Sequence, residues 1–269
     1  MARFSRRLIP GCRLRIALAV TVLAALAAAS AFGELTQRGN LFVRFDGGIS
    51  PNALPRKALA PIAVRIEGTI RTPAGQTPPG LRRIRIALNR EGRLSTRGLP
   101  ICHRNQIDSA NPSRALAACG PALVGSGGIV ARTSFKDQPS TYLLRGSLLF
   151  FNAVVHGRPA ILGHLYQGFP APITNIIVFD IRHTGGTFGT VISGTLPLSV
   201  NRNGYFKSIF LQLQRSYTYR GRPRAYLSAS CPAPPGFPGA LFPFAHASMT
   251  FDDGRALSAT LVRSCKVRR

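Results

Sequence analysis

The chain has 269 residues, 45% of them hydrophobic, with 35 Lys+Arg against 9 Asp+Glu, a formal net charge of +26 and no Trp. That hydrophobic fraction excludes a wholly disordered chain in spite of the charge, and 27 Gly with 21 Pro stay below the share that marks low-complexity disorder. At this length roughly 70–75% of the unfolded surface can be buried, so one large core or two small ones are available.

The first 33 residues read as a leader. Met1 to Arg15 holds five Arg and no acid, Ile16 to Ala29 is an apolar run of 14, and small residues follow at Ala29-Ser30-Ala31. These are the three parts of a secretory signal peptide, with cleavage expected after Ala31 or Gly33. The competing reading is an uncleaved anchor, since the 18 residues from Ile16 to Gly33 carry no charge; their Ala-richness makes them weakly hydrophobic for that role. Ser5-Arg6-Arg7 is an incomplete twin-arginine motif, better explained as an ordinary basic n-region. Leu8-Ile9-Pro10-Gly11-Cys12 precedes the apolar run, which is the wrong place for a lipoprotein box. Residues 34–269 then form a single β-rich domain with no transmembrane span, the alternative being a split near 133–141. That mature region holds 30 basic and 9 acidic side chains. Over the full chain Arg outnumbers Lys 31 to 4, as GC-rich coding bias would also produce.

Along the mature region, side chains alternate with period two. Leu41 to Phe45 is followed by Ile62, Val64 and Ile66, with Arg65 and Glu67 on the opposite face. Ile84, Ile86 and Leu88 repeat the pattern against Arg83, Arg85 and Ala87. One short helix is expected after this, with Asn111 as N-cap, Pro112 at the first position, Ser113 to Cys119 as its body and Gly120-Pro121 as its stop. Further strands are expected over Val124 to Ala131, Gly146 to Val155, Ala160 to Tyr166, Ile173 to Ile181, Thr187 to Leu196, Tyr205 to Tyr219 and Ala225 to Ser230. The last two are Phe244 to Phe251 and Leu257 to Arg263. Turn residues at 156–159, 201–204, 220–223 and 252–255 separate several of them. Five prolines between Cys231 and Phe244 argue against a central strand there. About a dozen strands with one short helix make an all-β fold, an antiparallel β-sandwich or partly closed barrel.

Without Cys12, an even set of four cysteines remains: Cys102, Cys119, Cys231 and Cys265. In an exported chain they read as disulfides with three possible pairings, and the local bridges Cys102–Cys119 and Cys231–Cys265 close the shorter loops. No Cys-x-x-Cys pair supports zinc.

Several stretches together carry a likeness: Leu54-Pro55-Arg56 with Ala60-Pro61-Ile62, Leu81 to Leu88 running on to Gly98-Leu99-Pro100-Ile101-Cys102, and Ala115 to Cys119 with Val124-Gly125-Ser126-Gly127. Leu227 to Pro232 and Pro238 to Phe244 complete it. The mature chain resembles a group of uncharacterised exported proteins of GC-rich Gram-positive soil bacteria. The resemblance implies export and a compact domain, and it transfers no activity.

Enzymatic signatures are weak. Nine scattered acids, with Asp252-Asp253 in a turn, do not supply the facing pair of a glycosidase. Gly125-Ser126-Gly127-Gly128 lacks the first glycine of a nucleophile elbow and precedes a strand. His156 with His164, and Asp180 with His183, are two-ligand pairs and too few for a metal site. No cofactor is expected. Tyr217, Tyr219 and Tyr226 near one hairpin could form a small carbohydrate platform. The basic excess is the strongest signal, concentrated at Arg82-Arg83-Ile84-Arg85 and at Arg220-Gly221-Arg222-Pro223-Arg224. Arg83, Arg85, Arg220, Arg222 and Arg224 are therefore the candidate polyanion-binding residues. Arg-Gly-Arg-Pro is similar to an AT-hook core, but its place between alternating strands and its export argue against specific nucleic-acid recognition. The expected function is that of a secreted, non-enzymatic protein of the cell envelope, extracellular or wall-associated. Its partners would be anionic wall polymers or lipid head groups. The alternative is an extracellular hydrolase whose site is assembled from distant residues.

N-terminal sequencing of the protein from culture supernatant or wall extract should begin near Phe32 or Glu34. A chain starting at Met1 or Ala2 in the membrane fraction would establish the anchor instead.

Overall fold

A computed structural model describes residues 33–134, 141–169, 171–197 and 204–268. Apart from Gly33, the expected leader lies outside the described residues, as do residues 135–140 at the alternative domain boundary. In chain order the strands are β1 (Glu34–Arg38), β2 (Leu41–Ser50), β3 (Ala53–Leu54), β4 (Ala60–Pro61), β5 (Ala63–Arg71), β6 (Leu81–Asn89) and β7 (Gly92–Leu94). They continue with β8 (Leu123–Ser134), β9 (Thr141–Val155), β10 (Arg158–Gln167), β11 (Ile173–His183), β12 (Phe188–Thr195) and β13 (Gly204–Leu213). Then follow β14 (Ser216–Tyr219), β15 (Arg222–Ala225), β16 (Leu227–Ala229), β17 (Gly239–Phe251) and β18 (Ala256–Val267).

Thirteen of these strands form one curled sheet in the order β1-β2-β5-β13-β8-β9-β10-β11-β12-β6-β17-β18-β3. Every pairing in it is antiparallel except that of β3 with β18. The two-residue period drives the curl, because each strand turns its apolar set to the same side. Leu41, Val43 and Phe45 of β2, Val64 and Ile66 of β5, and Leu257 and Leu261 of β18 belong to one buried cluster with the inward residues of the intervening strands. Strands from both sides of residues 135–140 interleave: β13 lies between β5 and β8, and β6 lies between β12 and β17.

The two ends of the sheet meet, since β1 and β2 lie beside β18. Side chains rather than a ladder join them. Arg263 Nη2 of β18 donates to Asp46 Oδ1 at 2.8 Å, and its Nε donates to the Gly47 carbonyl. Arg255 Nη1 reaches Asn40 Oδ1 at 2.6 Å and the Arg38 carbonyl at 3.2 Å. Burial opposes ionisation of the Asp253 carboxyl, but hydrogen bonds from the backbone and guanidinium of Arg255 hold its pKa below the ordinary value. The fold is thus the partly closed barrel of the two expected forms.

The helical expectation holds with two additions: a turn before it, and a 3-10 turn, Gly120–Ala122, that carries the chain on through the expected Gly120-Pro121 stop. α1 (Arg104–Ile107) is a single turn, and α2 (Pro112–Cys119) starts where Asn111 Oδ1 accepts from the Arg114 N–H at 2.9 Å. This segment forms a flap over the outer face of β9, β10 and β11, where Ile107 and Ala115 pack on Phe151, Leu162 and Ile176 in a second buried cluster. The Ala110 carbonyl accepts from His164 Nε2 and from Thr174 Oγ1, each at 2.8 Å. Asn152 ties down the flap's entry: its Nδ2 donates to the Pro100 carbonyl and its own carbonyl accepts from the Cys102 N–H. The Cys102–Cys119 disulfide staples the flap, and Cys231–Cys265 ties the Pro-rich crossing segment to β18.

The strands β1, β3, β4 and β7 are additions to the expected set, and β9 starts at Thr141 rather than Gly146. Two further differences involve a change of partner. The run Tyr205 to Tyr219 breaks after Leu213, where the chain leaves the large sheet for the separate β14–β15 hairpin. Alternation continues across the break, so the pattern does not register the change of partner. The second difference is β17, which starts at Gly239 and runs through Pro243. Pairing with β6 begins only at Ala245, and the ladder to β18 shifts register between Pro243 and Ala245. Proline therefore sits on an edge segment at a bulge, the position a strand tolerates.

Replacing Cys102 and Cys119 together by Ala should lower unfolding free energy by about 3 kcal/mol, and removing Cys231–Cys265 should cost about 3–4 kcal/mol. Urea titration measures both. Non-reducing peptide mapping should recover these two bridges and no crossed pair.

Candidate functional site: an arginine-lined groove

Three neighbouring strands, β11, β12 and β6, leave their outer faces uncovered beside the flap. Register sets what that face presents. Asp180 of β11 stands opposite Ser193 of β12, which stands opposite Arg85 of β6. One step along, Arg182 faces Val191; at the other side Thr195 faces Arg83. Alternation that turns partly buried Ile84 and buried Ile86 toward the core places Arg83 and Arg85 on this face together.

The result is a groove of about 780 Å³. Arg83, Arg85, Arg104 and Arg182 line it with Asp180, Thr184, Ser193 and Thr195, over a floor of Ile176, Val178 and Val191. Arg104 comes from α1 in the flap, so the disulfide-stapled segment supplies one wall. Arg83 Nε makes a long contact of 3.4 Å with Thr195 Oγ1. None of the five ion pairs among the described residues involves a groove arginine or Asp180. Four guanidiniums, charged at any physiological pH, therefore converge against one carboxylate. Among the described residues the lining contains no His, Cys or aromatic residue. It can bind anions by forked hydrogen bonds.

Of the five sequence-chosen arginines, Arg83 and Arg85 line the groove. Arg220, Arg222 and Arg224 do not; they are exposed on the β14–β15 hairpin. Arg220 and Gly221 form its turn with φ of 51° and 71°, and Pro223 belongs to β15, opposite Thr218, rather than to the turn. The Arg220 guanidinium stacks 5.4 Å over the Tyr219 ring, and the Tyr217 hydroxyl donates to the Arg97 carbonyl at 2.8 Å. Tyr226 is fully buried, which pushes its phenol pKa up and removes it from any carbohydrate platform.

The remaining motifs resolve into structure. His164 is buried under the flap opposite Leu149, whereas His156 is exposed in the β9–β10 turn. Among the described residues no group of three or more His, Cys, Asp or Glu could hold a metal ion. In Gly125-Ser126-Gly127 a Cβ on either glycine would approach a β13 carbonyl to 2.4 Å or less, so the motif serves close strand packing. A cavity inside the barrel, lined by Phe150, Phe179 and aliphatic side chains, measures about 30 Å³. That is room for one or two waters at most. Sequence reasoning missed Arg104 and Arg182 and gave Asp180 no part in anion binding. Its one usable signal was the Arg83/Arg85 alternation.

No family model, curated protein or solved structure matches the chain.

Changing Arg220, Arg222 and Arg224 together to Ser should move stability by no more than about 0.5 kcal/mol, because exposed charges contribute little. Gly221→Val, by contrast, should cost about 1–2 kcal/mol for the left-handed backbone. Thermal unfolding by circular dichroism separates the two.

Proposed function

We propose that this protein is a secreted, non-enzymatic component of the cell envelope that holds an anionic wall polymer in the groove between β11, β12, β6 and the flap. The observation that carries the reading is four arginines, unpaired among the described residues, gathered from three separate segments on one concave face. Surface charge scattered by coding bias does not require such convergence. The sequence balance agrees, with 30 basic and 9 acidic side chains after the expected leader. Two intramolecular disulfides suit an oxidising compartment, and among the described residues no helix is long and apolar enough to cross a membrane. The resemblance to exported proteins of Gram-positive soil bacteria points the same way. A hydrolytic role has no comparable support, since the described lining residues include a single carboxylate.

Long-range attraction would come from the whole basic surface and residence from the groove. Arg83→Ala/Arg85→Ala should therefore weaken retention on isolated host walls without lowering the thermal midpoint. The slope of log affinity against log salt should become shallower by roughly 1–2. Retention equal to wild type at every salt concentration would remove the groove from the reading.

A further inference from the structure

We infer that the groove is selective for a flexible polyol phosphate, a phosphodiester polymer whose linking carbons are acyclic and hydroxylated, over denser or ring-based polyanions. This rests on the anion-binding reading above and adds to it the chemistry between the charges.

Cationic groups stand at both sides of the groove. Arg83 and Arg85 lie two residues apart on one face of β6, roughly 7 Å between Cα atoms, and Arg182 lies two strands away, about 10 Å across the sheet. A ligand reaching from one side to the other needs anions spaced by several atoms, as in a chain of phosphodiesters. The space between them is not cationic. Ser193 stands between Asp180 and Arg85 in the ladder, and Thr195 stands beside Arg83. Asp180 is exposed and makes no ion pair among the described residues. An ionised carboxylate only accepts hydrogen bonds, so it repels phosphoryl oxygens and favours O–H groups. The segment between two bound phosphates must then carry hydroxyls.

The floor narrows the class further. Half-buried Val178, with the edges of the buried Ile176 and Val191, presents branched aliphatic surface, and among the described residues no aromatic side chain lines the groove. Nucleobases lose the stacking that sustains unspecific single-strand binding, and pyranose rings find no flat platform. Methylene and methine groups of an extended polyol fit such a floor without one.

Affinities are measured for the mature protein at one ionic strength with four probes: lipid-free poly(glycerol phosphate), inorganic polyphosphate, a single-stranded oligonucleotide and phosphatidylglycerol vesicles. The first three are matched for phosphate. Wild type should bind poly(glycerol phosphate) about tenfold tighter than polyphosphate or the oligonucleotide, although polyphosphate is the denser anion. Asp180→Asn should keep its thermal midpoint, gain affinity for polyphosphate and lose most of that preference. Soluble poly(glycerol phosphate) should displace the protein from the vesicles, which separates polymer from lipid head group as the source. Polyphosphate binding as tightly as the polyol polymer, with Asp180→Asn unchanged, would overturn the selectivity and leave a general anion groove. Vesicle binding that the polymer fails to displace would overturn it in favour of lipid. Arg83→Ala/Arg85→Ala without effect on any probe would overturn both this inference and the anion-binding reading beneath it.

Discussion

Side chains of a strand alternate between two faces, and here one face is buried along the large sheet from β2 to β18. That single constraint fixes the rest. It curls the sheet until β1 and β2 meet β18, and it fills the interior with Leu, Ile, Val and Phe. It also leaves every second residue outward, and away from the flap-covered part of β9 to β11 these positions are free of core packing. On β6 those outward positions are arginines, so the groove is the complement of the core: the ladder that buries Ile86 also aligns Arg85 with Ser193 and Asp180.

The outer face is put to two uses. Over β9 to β11 it is apolar enough to need a cover, which the flap from Cys102 to Ala122 supplies. Beside the flap, over β11, β12 and β6, the same surface is polar and open. Arg104 joins the two regions, because a residue on the cover becomes a wall of the groove. The cover must hold still for that wall to be positioned. Two helical turns have little stability of their own, and the disulfide together with buried Asn152 and His164 provides what helix propensity does not.

Much of the fold was legible in the sequence because its signals are local. Alternation at Ile62 to Ile66, the Asn111-Pro112 start and the short-loop pairing of four cysteines all depend on neighbours in the chain. What stayed hidden depends on partners. Pro243 lies in a strand because β6 does not yet reach that far, and nothing in the residues around Pro243 states where β6 ends. The groove was half legible for the same reason. Arg83 and Arg85 announce a basic face by spacing alone. Their meeting with Arg182 and Asp180 requires the order β11-β12-β6, in which the chain returns to a strand laid down about a hundred residues earlier or more. Arg104 requires knowing which face the flap covers. The Arg220 to Arg224 cluster shows the opposite error, since a dense run of arginines on a hairpin tip is conspicuous in sequence and convex in space.

The side-chain seam between β18 and the first two strands has a consequence for how these molecules could crowd. Open sheets present rows of free amide and carbonyl groups that invite strand addition from a neighbour. In the large sheet the first and last long strands occupy each other's flank through Arg263, Asp46, Arg255 and Asn40, and β3 covers the end of β18. Many copies gathered along one polymer could then lie side by side at high local density without stitching their sheets together, so accumulation would stay reversible and track the polymer's own length.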